Sequence, residues 1–199
     1  MTFDAFPWTD LFLRLLTAFL GSLFAFSFAL WLNRRERRAQ RTSDLIKEYS
    51  SREMLVSRFV TVSVADRITD GEISIRDLAL TMVQDCPVGF TGQAVDGLTE
   101  HAQISLLIGW MRRLAISVDH GWIDNQTLAV TLGGSLQWTL PFLLRVGEAA
   151  ELVMQEYPSS RAPEVRASWI FALRKIDAFL RQSRLPQTLL RSFWDRLSY

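Results

Sequence analysis

Cysteine is nearly absent from this chain: Cys86 is the only one in 199 residues. A lone thiol excludes an intramolecular disulfide and any cysteine-built metal cage, and it fits a reducing compartment. Histidine is almost as scarce. His101 and His120 lie far apart with no H-x-x-x-H spacing, so no metal site is expected. Lysine is limited to Lys47 and Lys175, and the preference for arginine fits a GC-rich bacterial genome. No Gly-Lys pair occurs, which removes a phosphate-binding P-loop. Gly133-Gly134-Ser135 lacks the glycine that would have to follow the serine of a nucleophile elbow. Surplus charge is missing too: the formal net charge is +1, so no global basic field draws in nucleic acid, and none is expected as a partner. With no repeat, no cofactor motif and no convergent set of titratable groups, no catalytic residue, metal or cofactor is expected.

What the chain does have is one concentrated apolar run. The hydrophobic fraction is 49% and the mean hydropathy +0.11. Much of this comes from Leu15 to Leu32, LLTAFLGSLFAFSFALWL, which contains neither charge nor proline. Extended back to Leu11 it reaches about 22 residues, enough at about 1.5 Å each to cross a hydrocarbon core of about 30 Å. Trp8 and Trp31 bracket the run, where indole rings favour the two interfaces. A cleaved signal peptide would place its basic cluster first and end at small residues. Here the basic cluster follows.

That cluster is Arg34, Arg35, Arg37, Arg38 and Arg41, against the single acid Glu36. The positive-inside rule then keeps the C-terminal side in the cytosol and sends the N-terminus across. Six of the 22 basic and three of the 21 acidic residues fall in residues 1–41. Beyond them 16 basic face 18 acidic residues, a formal charge of −2. The arginines therefore form a juxtamembrane collar that sets topology and can also hold anionic lipid. Within the apolar run Thr17, Gly21, Ala25 and Ala29 recur every four residues, a small-residue stripe that lets two helices approach in lipid.

From residue 42 onward the pattern is helical. Ser50 or Ser51 ahead of Glu53 signals a helix start, and Ile75 to Val83 suggests a second helix. Asp66 to Asp77 aligns in part with a calcium-binding EF-hand loop. Position 3 is Ile68, without a side-chain oxygen, and position 12 is the short Asp77, so an Asp-Gly turn with Ser74 capping the next helix is preferred. Cys86-Pro87 and the glycines at 89, 92 and 97 mark a loop. Ile104, Leu107, Ile108, Met111, Leu114, Ala115 and Val118 form the clearest helical stripe, stopped by Gly121, with Asp124 capping its successor. Residues 125–155 are apolar, and Gly133-Gly134 and Pro141 predict a break or kink there. A helix opens at Pro163 with Trp169, Leu173, Ile176 and Leu180 on one face, and a last one follows Pro186. Trp110, Trp122, Trp138, Trp169 and Trp194 are expected mostly in the core, an exposed one marking a partner surface.

The layout is thus all-α: a short extracytoplasmic tail (1–7), a transmembrane helix (8–32), a basic juxtamembrane helix or linker (33–50) and a cytosolic helical bundle (51–199). The segment LLIGWMRRLAISVDHGWIDNQTLAVTLGGSLQWTLPFLLRV, with Gly121-Trp122-Ile123-Asp124 between two helices and Trp138 before Pro141, resembles the bacterial family of domain of unknown function forty-seven-sixty. The resemblance implies the same anchored helical layout, an inner-membrane location, and no active site to carry over. The expected function is a membrane-anchored interaction or scaffold protein whose partners are the bilayer and a protein or a second copy of itself. A membrane-acting effector assembling through its transmembrane helix is the alternative, with an unrecognised lipid-headgroup enzyme behind it.

Overall fold

Start and stop signals along the chain become the ends of helices. The structure is a computed structural model and describes residues 8–84, 94–95, 97–156 and 163–183. Among the described residues it is all-helical apart from one short hairpin. The elements are α1 (Trp8–Tyr49), α2 (Arg52–Thr69), α3 (Ile75–Gln84), β1 (Ala94–Val95), β2 (Leu98–Thr99), α4 (Glu100–Asp119), α5 (Asn125–Glu156) and α6 (Pro163–Gln182). The tail 1–7, Cys86, the glycines at 89 and 92, and the helix expected after Pro186 with Trp194 lie outside the described residues.

Ser51 caps α2, its hydroxyl accepting from the Met54 amide at 3.3 Å. The helix ends in a Schellman turn. Glu72 N–H donates to Arg67 O and Gly71 N–H to Ile68 O, with Gly71 at φ +77°. Ser74 then accepts from the Arg76 amide at 3.2 Å and opens α3, so residues 66–77 are the turn-and-cap arrangement. The C-terminus of α4 repeats the device: Trp122 N–H donates to Ser117 O and Gly121 N–H to Val118 O, with Gly121 at φ +60°. Between α3 and α4 the chain forms an antiparallel pair, Ala94 opposite Thr99 and Val95 opposite Leu98, where the sequence reads as loop.

In space α2 packs on α4, α4 on α6, α6 on α5 and α5 on α3, which closes a bundle around one core. Leu107, Met111 and Leu114 of α4, Leu128, Leu136 and Leu143 of α5, and Leu173 of α6 are fully buried. α5 and α6 approach closely at Gly147, where an added Cβ would stand 3.3 Å from the Ile170 side chain.

The expected break in α5 does not occur. The helix is continuous through Gly133, Gly134 and Pro141. Leu132, Gly133, Leu136, Leu140 and Leu143 are buried on its inner side while Gly134 and Pro141 face outward. On that side a carbonyl left without its amide partner is open to water, and core burial offsets the propensity penalty.

α1 and α5 are both long and apolar enough to cross a membrane. They differ in what surrounds them. Half of the most apolar window of α5 is buried in the bundle, whereas none of that of α1 is. Leu11 through Arg41 are all exposed, including Phe12, Phe19, Phe24 and Phe26. α1 runs on without interruption until Thr42, only 1% exposed, and Tyr49, likewise 1%, enter the core.

Candidate functional site

Two features follow from α1 being one helix. The first is its attachment. The Tyr49 ring lies against Trp110 at 4.6 Å, and the Arg58 guanidinium sits 4.3 Å from the Tyr49 ring centre. Tyr49 Oη and Ser135 Oγ are 2.8 Å apart, and Arg58 Nη1 donates to the same Ser135 oxygen at 3.2 Å. One polar junction thus joins α1, α2 and α5. Two turns earlier on the same face, the Thr42 hydroxyl donates to Arg38 O (2.8 Å) and accepts from the Asp124 amide (2.8 Å). This second clasp ties α1 to the start of α5.

The second feature is a groove that the clasp creates. Trp31, Arg34, Arg35 and Arg38 project from one face of α1 and form one wall. The α4–α5 turn, through Gly121, Asp124, Asn125 and Gln126, forms the other, enclosing about 660 Å³. Arg35 stacks on Trp31 at 5.6 Å, and Arg38 approaches Gly121 so closely that a Cβ there would lie 4.0 Å from its guanidinium. No carboxylate among the described residues forms an ion pair with Arg34, Arg35 or Arg38 within 4 Å.

Asp124 faces this groove with its carboxylate already committed. Oδ1 accepts from the Gln126 and Thr127 amides at 3.1 and 3.3 Å, and Oδ2 from the Thr127 hydroxyl at 2.7 Å. These bonds, those from Thr127 first, and the charge of Arg35 hold its carboxyl below the usual carboxylate range. A depressed folded-state pKa contributes stability above the ordinary value of 3.8 that is lost as pH falls through the folded value. The wild type is therefore expected to lose thermal stability more steeply than Asp124→Asn between pH 5 and pH 3, because asparagine keeps the cap without titrating. Asp124→Ala is expected to cost about 1 kcal/mol at neutral pH. Parallel pH profiles of wild type and the asparagine variant would remove this role.

The sequence-predicted residues divide sharply in place. The five arginines occupy different surroundings. Arg34, Arg35 and Arg38 share the groove, Arg41 stacks on the half-exposed Trp122 at 5.0 Å, and Arg37 lies about 100° around the helix from Arg38. Thr17, Gly21, Ala25 and Ala29 are exposed along α1, with nothing within 4 Å of a Cβ at Gly21. The Thr17 hydroxyl bonds back to Leu13 O at 2.9 Å, so it leaves no unsatisfied donor on the stripe. Among the tryptophans Trp110 and Trp169 are core, while Trp122 and Trp138 are exposed. His101 Nε2 lies 3.3 Å from the Thr99 hydroxyl, and His120 Nδ1 donates to Ile116 O, at opposite ends of α4. Among the described residues no three histidine, cysteine, aspartate or glutamate side chains converge.

The residues that reasoning along the chain missed are Asn125, Gln126 and the Thr42–Asp124 clasp. Only the recurrence of Trp31, Arg34, Arg35, Arg38 and Thr42 on one helical face signals a shared wall. Compared with protein-family models, curated proteins and solved structures, the chain matches none.

Proposed function

We propose that the protein is a single-pass membrane-anchored helical interaction module, with its N-terminus outside and its bundle in the cytosol of a bacterial cell. One observation carries this reading: the most apolar window of α1 is wholly exposed while that of the shorter α5 is half buried. An uncovered, mainly apolar run of about 22 residues ending at an arginine cluster favours an apolar solvent along the run and water beyond it. Exposed apolar surface on both α1 and α2 supports a binding role.

The small-residue stripe is the proposed self-association surface. A line of exposed apolar side chains on α2, Leu55, Phe59 and Val62, is the surface offered to a protein partner in the cytosol. Arg14, near the outer end of the apolar run, favours a second reading: an effector whose assembly through the same stripe perturbs the bilayer.

Gly21→Leu tests the stripe cleanly, because the added side chain meets nothing in the single chain. Full-length protein in mild detergent is expected to be a dimer or larger by light scattering, and Gly21→Leu a monomer. Leu23→Ala, on the opposite side of α1, is expected to keep the wild-type mass. A wild type that is monomeric in both detergent and nanodiscs ends the self-association proposal.

A further inference from the structure

We infer that the groove between α1 and the α4–α5 turn is a binding site for the phosphate group of one anionic phospholipid. The inference rests on the proposal that α1 spans a bilayer.

Depth comes first. Counting from Leu32, Arg34 lies about 3 Å and Arg38 about 9 Å further along the axis. The polar layer beyond the hydrocarbon is about 5–7 Å thick on each side. Arg34 and Arg35 therefore stand within the headgroup layer and Arg38 about half a turn beyond it, close enough for its long side chain to reach back to the phosphates, with Trp31 at the interface below them. Charge comes second. Three arginines and one aspartate line the groove, a net of +2, and the aspartate is spent on capping α5. The Gln126 and Thr127 amides bond to that aspartate, so attraction for an anion comes from guanidinium groups rather than from the helix end. Guanidinium forks match phosphate oxygens in pairs. Shape comes third. A volume of about 660 Å³ accommodates a phosphoglycerol-sized head but not a bilayer surface. The side-chain amides of Asn125 and Gln126 on the far wall are fit to meet headgroup hydroxyls. A diffuse basic collar would have none of this sidedness.

The experiment is native mass spectrometry of the full-length protein in detergent, titrated with dioctanoyl phosphatidylglycerol, with dioctanoyl phosphatidylcholine, and with inorganic phosphate alone. One tight phosphatidylglycerol adduct is expected, weakened about fivefold or more in Arg38→Gln and in Arg35→Gln. Arg37→Gln, which removes the same charge from another face, is expected to bind as wild type. Phosphatidylcholine and inorganic phosphate are expected to leave no comparable adduct. Equal losses in Arg37→Gln and Arg38→Gln would overturn the groove in favour of a diffuse collar. Inorganic phosphate bound as tightly as the lipid would overturn the lipid assignment in favour of a soluble anion. Carbonate extraction of cell membranes separates the two levels: a protein released into the supernatant removes the anchor and the inference together, whereas an embedded protein without lipid selectivity removes the inference alone.

Discussion

Tyr49→Ala is expected to lower the unfolding free energy of the bundle by about 4 kcal/mol, in the range for truncating a large buried aromatic. The ring is 1% exposed, packs at a tilt against Trp110 and lies under Arg58. Its removal opens a cavity and takes away one of the two partners of the Ser135 hydroxyl, leaving only Arg58. Tyr49→Phe keeps the ring and loses only the hydrogen bond, so its cost is expected near 1 kcal/mol. Urea titration followed by tryptophan fluorescence measures both, since Trp110 reports directly on the contact. A further readout is local. The alanine variant should become protease-sensitive around residues 42–50, because the same side chain fastens the end of α1 to the bundle. A cost below about 1 kcal/mol for the alanine change would mean that α1 ends beside the core and not in it.

Paired substitution Phe19→Arg with Leu23→Arg should shift the protein from the carbonate-resistant membrane fraction to the soluble or degraded fraction. Both positions are close to the middle of the apolar run and are exposed in the isolated chain, so the bundle loses no contact. Each arginine costs about 2.5–3.5 kcal/mol at the centre of a spanning helix, and two exceed what snorkelling recovers at that depth. Phe59→Arg on α2 introduces the same change at an exposed apolar position of the bundle and is expected to leave fractionation unchanged. An unaltered distribution of the double variant would show that α1 does not cross the bilayer.

Local chemistry was readable wherever a residue acts within its own turn. Ser51, Ser74 and Asp124 cap helices, and Gly71 and Gly121 stop them, because cap and stop hydrogen bonds reach only a few residues. The stripes of α4 and α6 were equally plain: Ile104, Leu107 and Met111, or Leu173 and Ile176, repeat at the helical period and are buried. α5 was misread at its centre. Two glycines and a proline argue locally for a break, and only the surrounding helices, absent from a linear reading, keep the segment helical through them. The groove was half legible. Its arginines were picked out, but as a ring about α1. The hydrogen bond that sorts them into lining and outlying residues joins Thr42 to Asp124, 82 positions later. No local pattern encodes such a pairing.

α1 enters the core without a hinge: its last residue is Tyr49, and Thr42, in the same helix, is already clasped to α5. If α1 spans a bilayer as proposed, anchor and bundle turn as one body. Rolling the helix by one residue position would then swing the bundle by about 100°, and the way two copies met in the lipid would fix which sides of their bundles confront each other. On that reading the helix is an axle, converting orientation within the membrane into orientation beyond it.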